Sequence, residues 1–513
     1  MIKDIQLQLT PEEAAKAELY TAKAAGFLDI DVKEITGIKV IKRSIDARKG
    51  QVKILMRAEV FIGEEMPDDD LEMHYQDVSN KETVIIVGSG PAGLFAALRL
   101  IELGLKPIVL ERGKEVGERK LDIAKINRES IVNPDSNYAF GEGGAGTFSD
   151  GKLYTRSKKR GNVQSVLKIL QQHGADPDIM VDAHPHIGTN KLPRIIQKIR
   201  ETIINSGGEF HFNHRVDGLI IENQEIKGVL VGEKEFIGKA VILATGHSAR
   251  DIYELLHENN ILLEPKSFAM GVRIEHSQKL IDQIQYHCKI RDDYLPAAAY
   301  SLVQQVEGRG VYSFCMCPGG FIVPAATADN EVVVNGMSPS RRDSKYANSG
   351  MVVEIRTEDL EQYKEYGVLA GMQFQKEFEQ MAFRNGGIGQ VAPAQRMMDF
   401  VKGKVSNGLP DTSYQPGIIS SPLHMWLPEH IGKRLQEGFK IFGKKMQGYL
   451  TNEAVIIGVE SRTSSPLRIP REKESLQHPE IKDLYPCAEG AGYAGGIVSA
   501  AVDGQRVAEA IGK

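Results

Sequence analysis

The sequence predicts an α/β fold: a parallel strand–helix–strand domain, interrupted by an inserted α+β domain and preceded by a small α+β unit. Three observations predict it. First, Thr83-Val84-Ile85-Ile86-Val87 is apolar and β-branched, as in a strand buried on both faces, and a glycine cluster with a helical pattern follows at once. Second, a strand, an acid and a glycine-rich turn recur near the end, where Leu484–Gly490 leads through Gly492, Gly495 and Gly496 into the helical run Ile497–Ile511. Third, the 513 residues leave room for roughly three domains at about 150 residues each.

Taken in order, Ile2–Leu9 reads as a strand. Thr10-Pro11-Glu12-Glu13 is a helix start, with Thr10 as N-cap, Pro11 at N1 and Glu13 at N3, and the helix should end near Gly26. Gly37–Ser44 makes a strand beside Gln51–Ile62, in which Val52, Ile54, Met56, Ala58, Val60 and Ile62 share one face. These elements make residues 1–63 a small domain. Its corner is basic, with Lys39, Lys42, Arg43, Arg48 and Lys49; such a run is either a solvated face or a contact for an anion or RNA. Residues 64–80 form an acidic linker, carrying Glu64, Glu65, Asp68, Asp69, Asp70, Glu72 and Asp77.

Composition excludes several classes. With 42% hydrophobic and 26% charged residues the chain is neither disordered, collagen-like nor a coiled coil. A net charge of −5 argues against a general nucleic-acid binder, leaving RNA contact to residues 1–63. Four cysteines make no disulfide scaffold, and no apolar run reaches membrane-helix length. A cytoplasmic protein is expected, of unspecified oligomeric state.

Gly88-Ser89-Gly90-Pro91-Ala92-Gly93 stands in full strand–helix–strand context, with Pro107-Ile108-Val109-Leu110 as the second strand and Glu111 18 residues beyond Gly93. Gly88 allows the tight turn, Gly90 lets backbone approach a pyrophosphate, and Gly93 lets helix and strand pack closely. Glu111 can accept from a ribose diol. The run Gly141–Gly151 is a second glycine-rich stretch, and Val241–Leu243 is a strand ending in Ala244-Thr245-Gly246.

These segments in this order resemble FAD-binding flavoproteins with a glutathione-reductase-type, Rossmann-like FAD-binding domain. More closely, the chain is similar to the uncharacterised FAD-dependent dehydrogenase family. That likeness rests on Phe140–Leu153, Cys315-Met316-Cys317-Pro318-Gly319-Gly320, Glu460–Pro466 and Glu489–Ile497, and it covers nearly the whole chain. It implies FAD and no particular substrate; no residue is placed clearly enough for a covalent tether, so non-covalent binding is expected. Carried over residue by residue, Gly88, Gly90, Pro91, Ala92, Gly93, Glu111 and Arg112 should hold the ADP half. Gly143, Gly144, Thr147, Phe148 and Ser149 should run beside the flavin, and Ala244, Thr245 and Gly246 should close over the diphosphate. Glu489 and Gly490 should reach the ribityl or phosphate groups. Gly495, Gly496 and Ile497 should aim a helix N-terminus at the flavin pyrimidine edge, where its positive end would stabilise reduced flavin.

Residues 81–264 and 450–513 are then the FAD-binding domain. Residues 265–449, which hold no second strand–GxGxxG–helix unit, are an inserted substrate or cap domain. NAD(P)H remains possible as a transient reductant. The candidate chemical residues are Arg462, Tyr493, Cys317 and His247. Arg462 and Arg273 are either structural ion pairs or anion contacts that would suit an acidic substrate. Tyr493 either donates a proton or stacks. Cys315 and Cys317 are either small core residues or a redox or substrate contact, with metal ligation a weaker option for want of a second ligand pair. His247 and Arg250 follow the Ala244-Thr245-Gly246 strand end directly. His184-Pro185-His186 has a loop or flavin-edge role or, more weakly for want of partner ligands, a metal one, and no metal site is expected. The expected activity is hydride transfer between a small molecule and flavin N5. The alternatives are a flavin monooxygenase, or a flavoprotein acting on RNA or a protein partner through residues 1–63.

Overall fold

The computed structural model describes every residue except 49, 68–72 and 156–160. Lys49, Asp68, Asp69, Asp70 and Glu72, named above, therefore lie outside the described residues.

The N-terminal unit is a three-stranded antiparallel sheet with Lys53–Ile62 between Ile2–Leu9 and Ile35–Asp46. Alternation fixes its register: Ile5, Leu7 and Leu9 are buried, as are Ile54, Met56, Ala58 and Val60 on the central strand. Thr10 caps its helix as the sequence predicts, with reciprocal bonds between Thr10 and Glu13. The helix then breaks at Lys16 and resumes over Ala17–Leu28, ending on a left-handed Asp29. Arg43 bridges this unit to the next domain, pairing with Asp178 at 2.9 Å and Asp182 at 2.8 Å. Arg48 pairs with Asp46. Two of the basic residues are thus held by carboxylates of the same chain.

The cofactor-type domain is a five-stranded parallel sheet in the order Leu484–Pro486, Ala240–Leu243, Thr83–Val87, Lys106–Leu110, Glu209–His211. The C-terminal segment thereby pairs beside the strand of the first glycine cluster's sheet, although nearly 400 residues separate them. Helices Pro91–Glu102 and Ile497–Ile511 pack against each other on one face. Their approach requires Gly504, where a Cβ would lie 2.1 Å from the Ala92 carbonyl oxygen.

The inserted domain is built on a seven-stranded mixed sheet. Its centre is Phe268–Ser277, flanked by Tyr346–Ile355 and Val455–Glu460. Helix Glu429–Lys445 buries Leu435, Phe439 and Phe442 in the same core. The chain leaves the parallel domain through Glu264–Pro265 and returns through Leu467–Arg468, which pair antiparallel. Sequence alone places the return at 450. The structure keeps Val455–Glu460 in the inserted sheet, because that strand is buried along its whole length between Phe268–Ser277 and Ala392–Arg396. Among the described residues, no helix is long and apolar enough to cross a membrane.

His276, at the end of the central strand, gives this core a pH dependence. Its Nε2 donates to the Tyr449 carbonyl at 2.8 Å, and its Nδ1 has no partner among the described residues. Burial pulls its pKa down to about 4 from the ordinary 6.5, against a smaller opposing effect of the Tyr449 bond. A histidine held neutral in the fold but free to protonate when unfolded makes stability fall as pH drops. Between pH 6.5 and about 4 it should contribute a loss of about 3 kcal/mol. Urea unfolding of His276→Gln against the parent across that range should show a flatter dependence in the variant.

Candidate cofactor-binding cleft

The cleft lies at the carboxyl ends of three neighbouring parallel strands, Thr83–Val87, Ala240–Leu243 and Leu484–Pro486. Three glycine turns meet there. Gly88 takes φ +105°, donates to the Leu110 carbonyl at 2.8 Å, and leaves room for Ala244 O only because it lacks a Cβ. Gly93 lies so close to Gly88 O that a Cβ would stand 2.0 Å from it. The second glycine stretch docks on the first: Gly143 N donates to Ser89 O at 3.0 Å, and a Cβ on Gly144 would stand 3.1 Å from the Gly90 Cα. The third, Gly490, donates to Thr245 O at 3.1 Å.

Four other glycines mark the open side. Among the described residues, a Cβ placed on Gly90, Gly246, Gly495 or Gly496 meets no atom within 4 Å. Gly90 and Gly496 are the N-caps of Pro91–Glu102 and Ile497–Ile511, and no described side chain caps either helix. Two long helices therefore present N–H groups and positive dipole ends to the same opening, as binding of a diphosphate or an anionic ring requires. Gly146 lies between them, where a Cβ would stand 3.1 Å from Ile497 Cγ1.

The acids behave differently from one another. Glu111 is buried, and its two oxygens accept four bonds: from Ser89 N and Oγ at 3.0 and 2.7 Å, and from Gly113 N and Gly141 N at 2.9 and 3.0 Å. The sequence assigns this carboxylate to a ribose diol; the structure fills its four acceptor positions with the chain's own donors, so it ties the turns together. Arg112 is likewise engaged, between Asp135 and Asp251 and over the Phe140 ring. Thr147 and Phe148 are buried, Thr147 donating to Glu142 O at 2.8 Å and Phe148 joining Ile123, Tyr138 and Val333. Ser149 Oγ donates to Gly146 O at 2.7 Å. Glu489 faces the opening: Oε1 accepts from Gly496 N, and Oε2 lies 3.8 Å from His247 Nε2. Burial holds the His247 pKa below its usual value, with Arg462, Lys266 and Arg250 adding to that effect and Glu489 opposing it.

The remaining candidates are spoken for. Arg462 donates to Glu379 at 3.0 and 2.9 Å, to Glu331 at 3.1 Å and to Thr327 at 2.7 Å, with its side chain 7% exposed. Arg250 completes the cluster, at 3.1 Å from Glu331 and 2.9 Å from Glu379. Burial alone would raise the Glu379 pKa, but the two guanidiniums outweigh it and hold the group well below the carboxylate range. Burial, helped by the Glu379 charge, pushes Glu331 upward. Arg273 is 0% exposed and pairs with Glu460 at 2.7 Å. The Tyr493 hydroxyl accepts from Arg471 N at 3.1 Å, and the Arg471 guanidinium lies 4.0 Å from the ring centre. Cys317 is buried, whereas Cys315 is half-buried. His186 donates to Ser340 O at 3.0 Å.

Sequence reasoning missed Glu331 and Glu379. The available signal for Glu379 is an acid on the apolar stripe of helix Ala370–Arg384, beside Phe374, Phe378 and Ala382.

Three family models match parts of the chain: a FAD-dependent protein C-terminal-domain-like family over residues 267–463, a FAD binding domain over 83–124, and a domain of unknown function over 1–61. An uncharacterized protein of Clostridium beijerinckii is 41% identical over 504 residues, covering 94% of each chain. A probable electron transfer flavoprotein-quinone oxidoreductase of Escherichia coli is 27% identical over 168 residues, 33% of this chain and 37% of that protein. Among solved structures, a geranylgeranyl bacteriochlorophyll reductase-like protein from Thermoplasma acidophilum is 14% identical, with a TM-score of 0.33 over 84% of this chain and 79% of that one.

Proposed function

The chain belongs to the family of FAD-dependent proteins that it shares with its Clostridium beijerinckii relative, and on that premise we propose that it passes a hydride between a small organic molecule and flavin N5. FAD is its cofactor, and at the coarse level it is a FAD-dependent oxidoreductase. The cleft fits that group. Its open glycines, Gly90, Gly246, Gly495 and Gly496, are the observation that carries the reading, since a Cβ at any of them meets no described atom within 4 Å and two of them, Gly90 and Gly496, are the N-caps of the two helices.

When bound, the flavin supplies the hydride chemistry, and the protein supplies orientation and charge. Gly90, Pro91 and Ala92 would hold the diphosphate at the first helix N-terminus, with Thr245 and Gly246 bordering it from the neighbouring strand. Gly495, Gly496 and Ile497 would set the second N-terminus beside the isoalloxazine, where a positive end would favour negative charge. His247, whose pKa burial holds below its usual value, would take the proton as a substrate hydroxyl or amine is oxidised, and Glu489, 3.8 Å from it, would steady the resulting charge. Arg462 and Arg273 are committed to buried carboxylates, which removes the support for an acidic substrate that rested on them.

The test is the visible spectrum of the purified protein, followed anaerobically as NADH, NADPH and then candidate organic reductants are added. A yellow protein bleached by an organic substrate supports the reading. Bleaching by NAD(P)H alone, followed by rapid oxygen uptake only when an organic substrate is present, would move it to a monooxygenase. A colourless protein that FAD cannot reconstitute would overturn it.

A further inference from the structure

Strand Ile35–Asp46 is an edge of the N-terminal sheet, and at Arg43 a parallel bridge to Asp182 continues that sheet into the cofactor half. Arg43 N donates to Val181 O at 2.8 Å, and Ala183 N donates to Arg43 O at 2.9 Å. The side chain closes the same contact. Arg43 Nε donates to Asp182 Oδ1 at 2.8 Å, and Nη2 lies 2.9 Å from Asp178 Oδ2. These two carboxylates stand at the two ends of one turn, in which Asp182 N donates to Asp178 O at 3.0 Å. A planar guanidinium that spans both ends fixes the turn as a unit.

The chain leaving this turn runs straight to the second glycine stretch. Leu153 N donates to Pro185 O at 2.9 Å, while Ile187 N and Gly188 N donate to Gly151 O and Asp150 O, each at 3.1 Å. Asp150 follows Ser149, whose Oγ donates to Gly146 O at 2.7 Å and accepts from Gly151 N at 3.0 Å. Gly146 in turn lies beside Ile497 and Pro91, at the two helix N-termini of the cleft. Hydrogen bonds and short covalent links therefore connect Arg43 to the wall of the cleft without a gap. The other end of the connection is anchored as well. Ile5, Leu7 and Met56 of the N-terminal unit belong to the same apolar cluster as Met270 and Ile274 of the insert.

We propose that residues 1–63 brace the second glycine stretch, with Arg43 as the positioning residue. The proposal rests on the reading that the cleft holds FAD. Glycine loses more backbone freedom on ordering than any other residue. A cleft walled by such a stretch binds more tightly when an outside support has ordered the wall before the cofactor arrives. Two backbone bonds and two ion pairs at Arg43 supply that support. The same geometry accounts for this part of the basic corner, since the anions that Arg43 meets are carboxylates of its own chain.

The experiment follows amide hydrogen exchange of the full-length protein by mass spectrometry, with and without FAD, beside the FAD dissociation constant read from flavin fluorescence. Arg43→Ala should speed exchange over 144–153 and 181–188 and weaken FAD binding, each by about tenfold, a size that two half-exposed ion pairs can reach together. Exchange over Thr83–Val87 should keep the parent's rate, whereas general loosening of the fold would speed it too. Arg43→Lys should recover part of both effects, because one ammonium cannot reproduce the fork between Asp178 and Asp182. Asp182→Ala should cost less on top of Arg43→Ala than it does alone. Unchanged exchange over 144–153, or FAD affinity equal to the parent's, would overturn the brace. Should Arg43→Ala fail to fold, the pair Asp178→Asn and Asp182→Asn, which leaves the Arg43 backbone bonds in place, decides by the same two readings. A parent that binds no FAD overturns the proposed function instead, and the exchange measured without FAD still decides whether Arg43 holds the stretch.

Discussion

Gly93→Ala should yield protein that holds no FAD and is destabilised by about 4 kcal/mol or more, the range reached only by severe backbone or core disruption. The smallest possible side chain would stand 2.0 Å from Gly88 O, 3.1 Å from Gly88 C and 3.2 Å from Ile86 Cγ2. Two of those atoms are backbone at the turn that shapes the cleft, so no rotamer relieves the clash. The helix must move off the strand, and its N-terminus moves with it. Gly90→Ala provides the contrast. Its backbone, at φ −67°, is one any residue adopts, and its Cβ meets nothing. That variant should unfold in urea with the parent's midpoint in the apo form yet bind FAD more weakly. If both variants retain FAD equally, the cleft has been placed wrongly.

Arg462→Ala should cost about 3–5 kcal/mol, the usual penalty for removing one partner of a buried ionic cluster. The loss has a definite pH signature. With Arg462 gone, Glu331 and Glu379 share one guanidinium, that of Arg250, and the fold must retain a proton that the unfolded chain releases above the ordinary carboxylate pKa. A folded state that binds more protons gains stability as pH falls. The deficit should therefore shrink between pH 8 and about 5.5, read as the difference in urea midpoints. Arg462→Lys should recover only part of it, because one ammonium cannot reach Glu379, Glu331 and Thr327 in the geometry of the guanidinium fork. A deficit that does not change with pH would mean that Arg462 acts through packing alone.

These two sites differ in how far they could be read beforehand. The turn Gly88–Gly93 was legible because Gly88 answers a positive φ and Gly93 a close approach, constraints that strand and helix patterns already announce. Near Glu489, Gly496 was legible for the same reason, its φ being +103°. Glu111 was placed correctly at its strand end, but Ser89 and Gly141, which join Gly113 as its donors, lie 22 and 30 residues away, and no local pattern counts the donors that converge on one carboxylate. Arg462 shows the same limit more sharply. Its Thr- and Ser-rich surroundings suggest an anion site, and its anions prove to be Glu379 and Glu331 of the same chain. The return to the FAD-binding domain was read at residue 450, ahead of Val455–Glu460, because no local pattern says which sheet takes up that strand.

The antiparallel pair Glu264–Pro265 and Leu467–Arg468 makes the insert an exchangeable module. Its two ends are adjacent, so the cofactor half closes on itself across a single hydrogen-bonded ladder, whatever lies between. Lineages can then lengthen, trim or swap the intervening residues, and so alter what reaches the flavin, without redrawing the cradle that holds it. Such a swap would strip partners from the cofactor half: Arg250 would lose the two carboxylates that the insert provides, Asp150 would lose Arg342, and His186 would lose the Ser340 carbonyl.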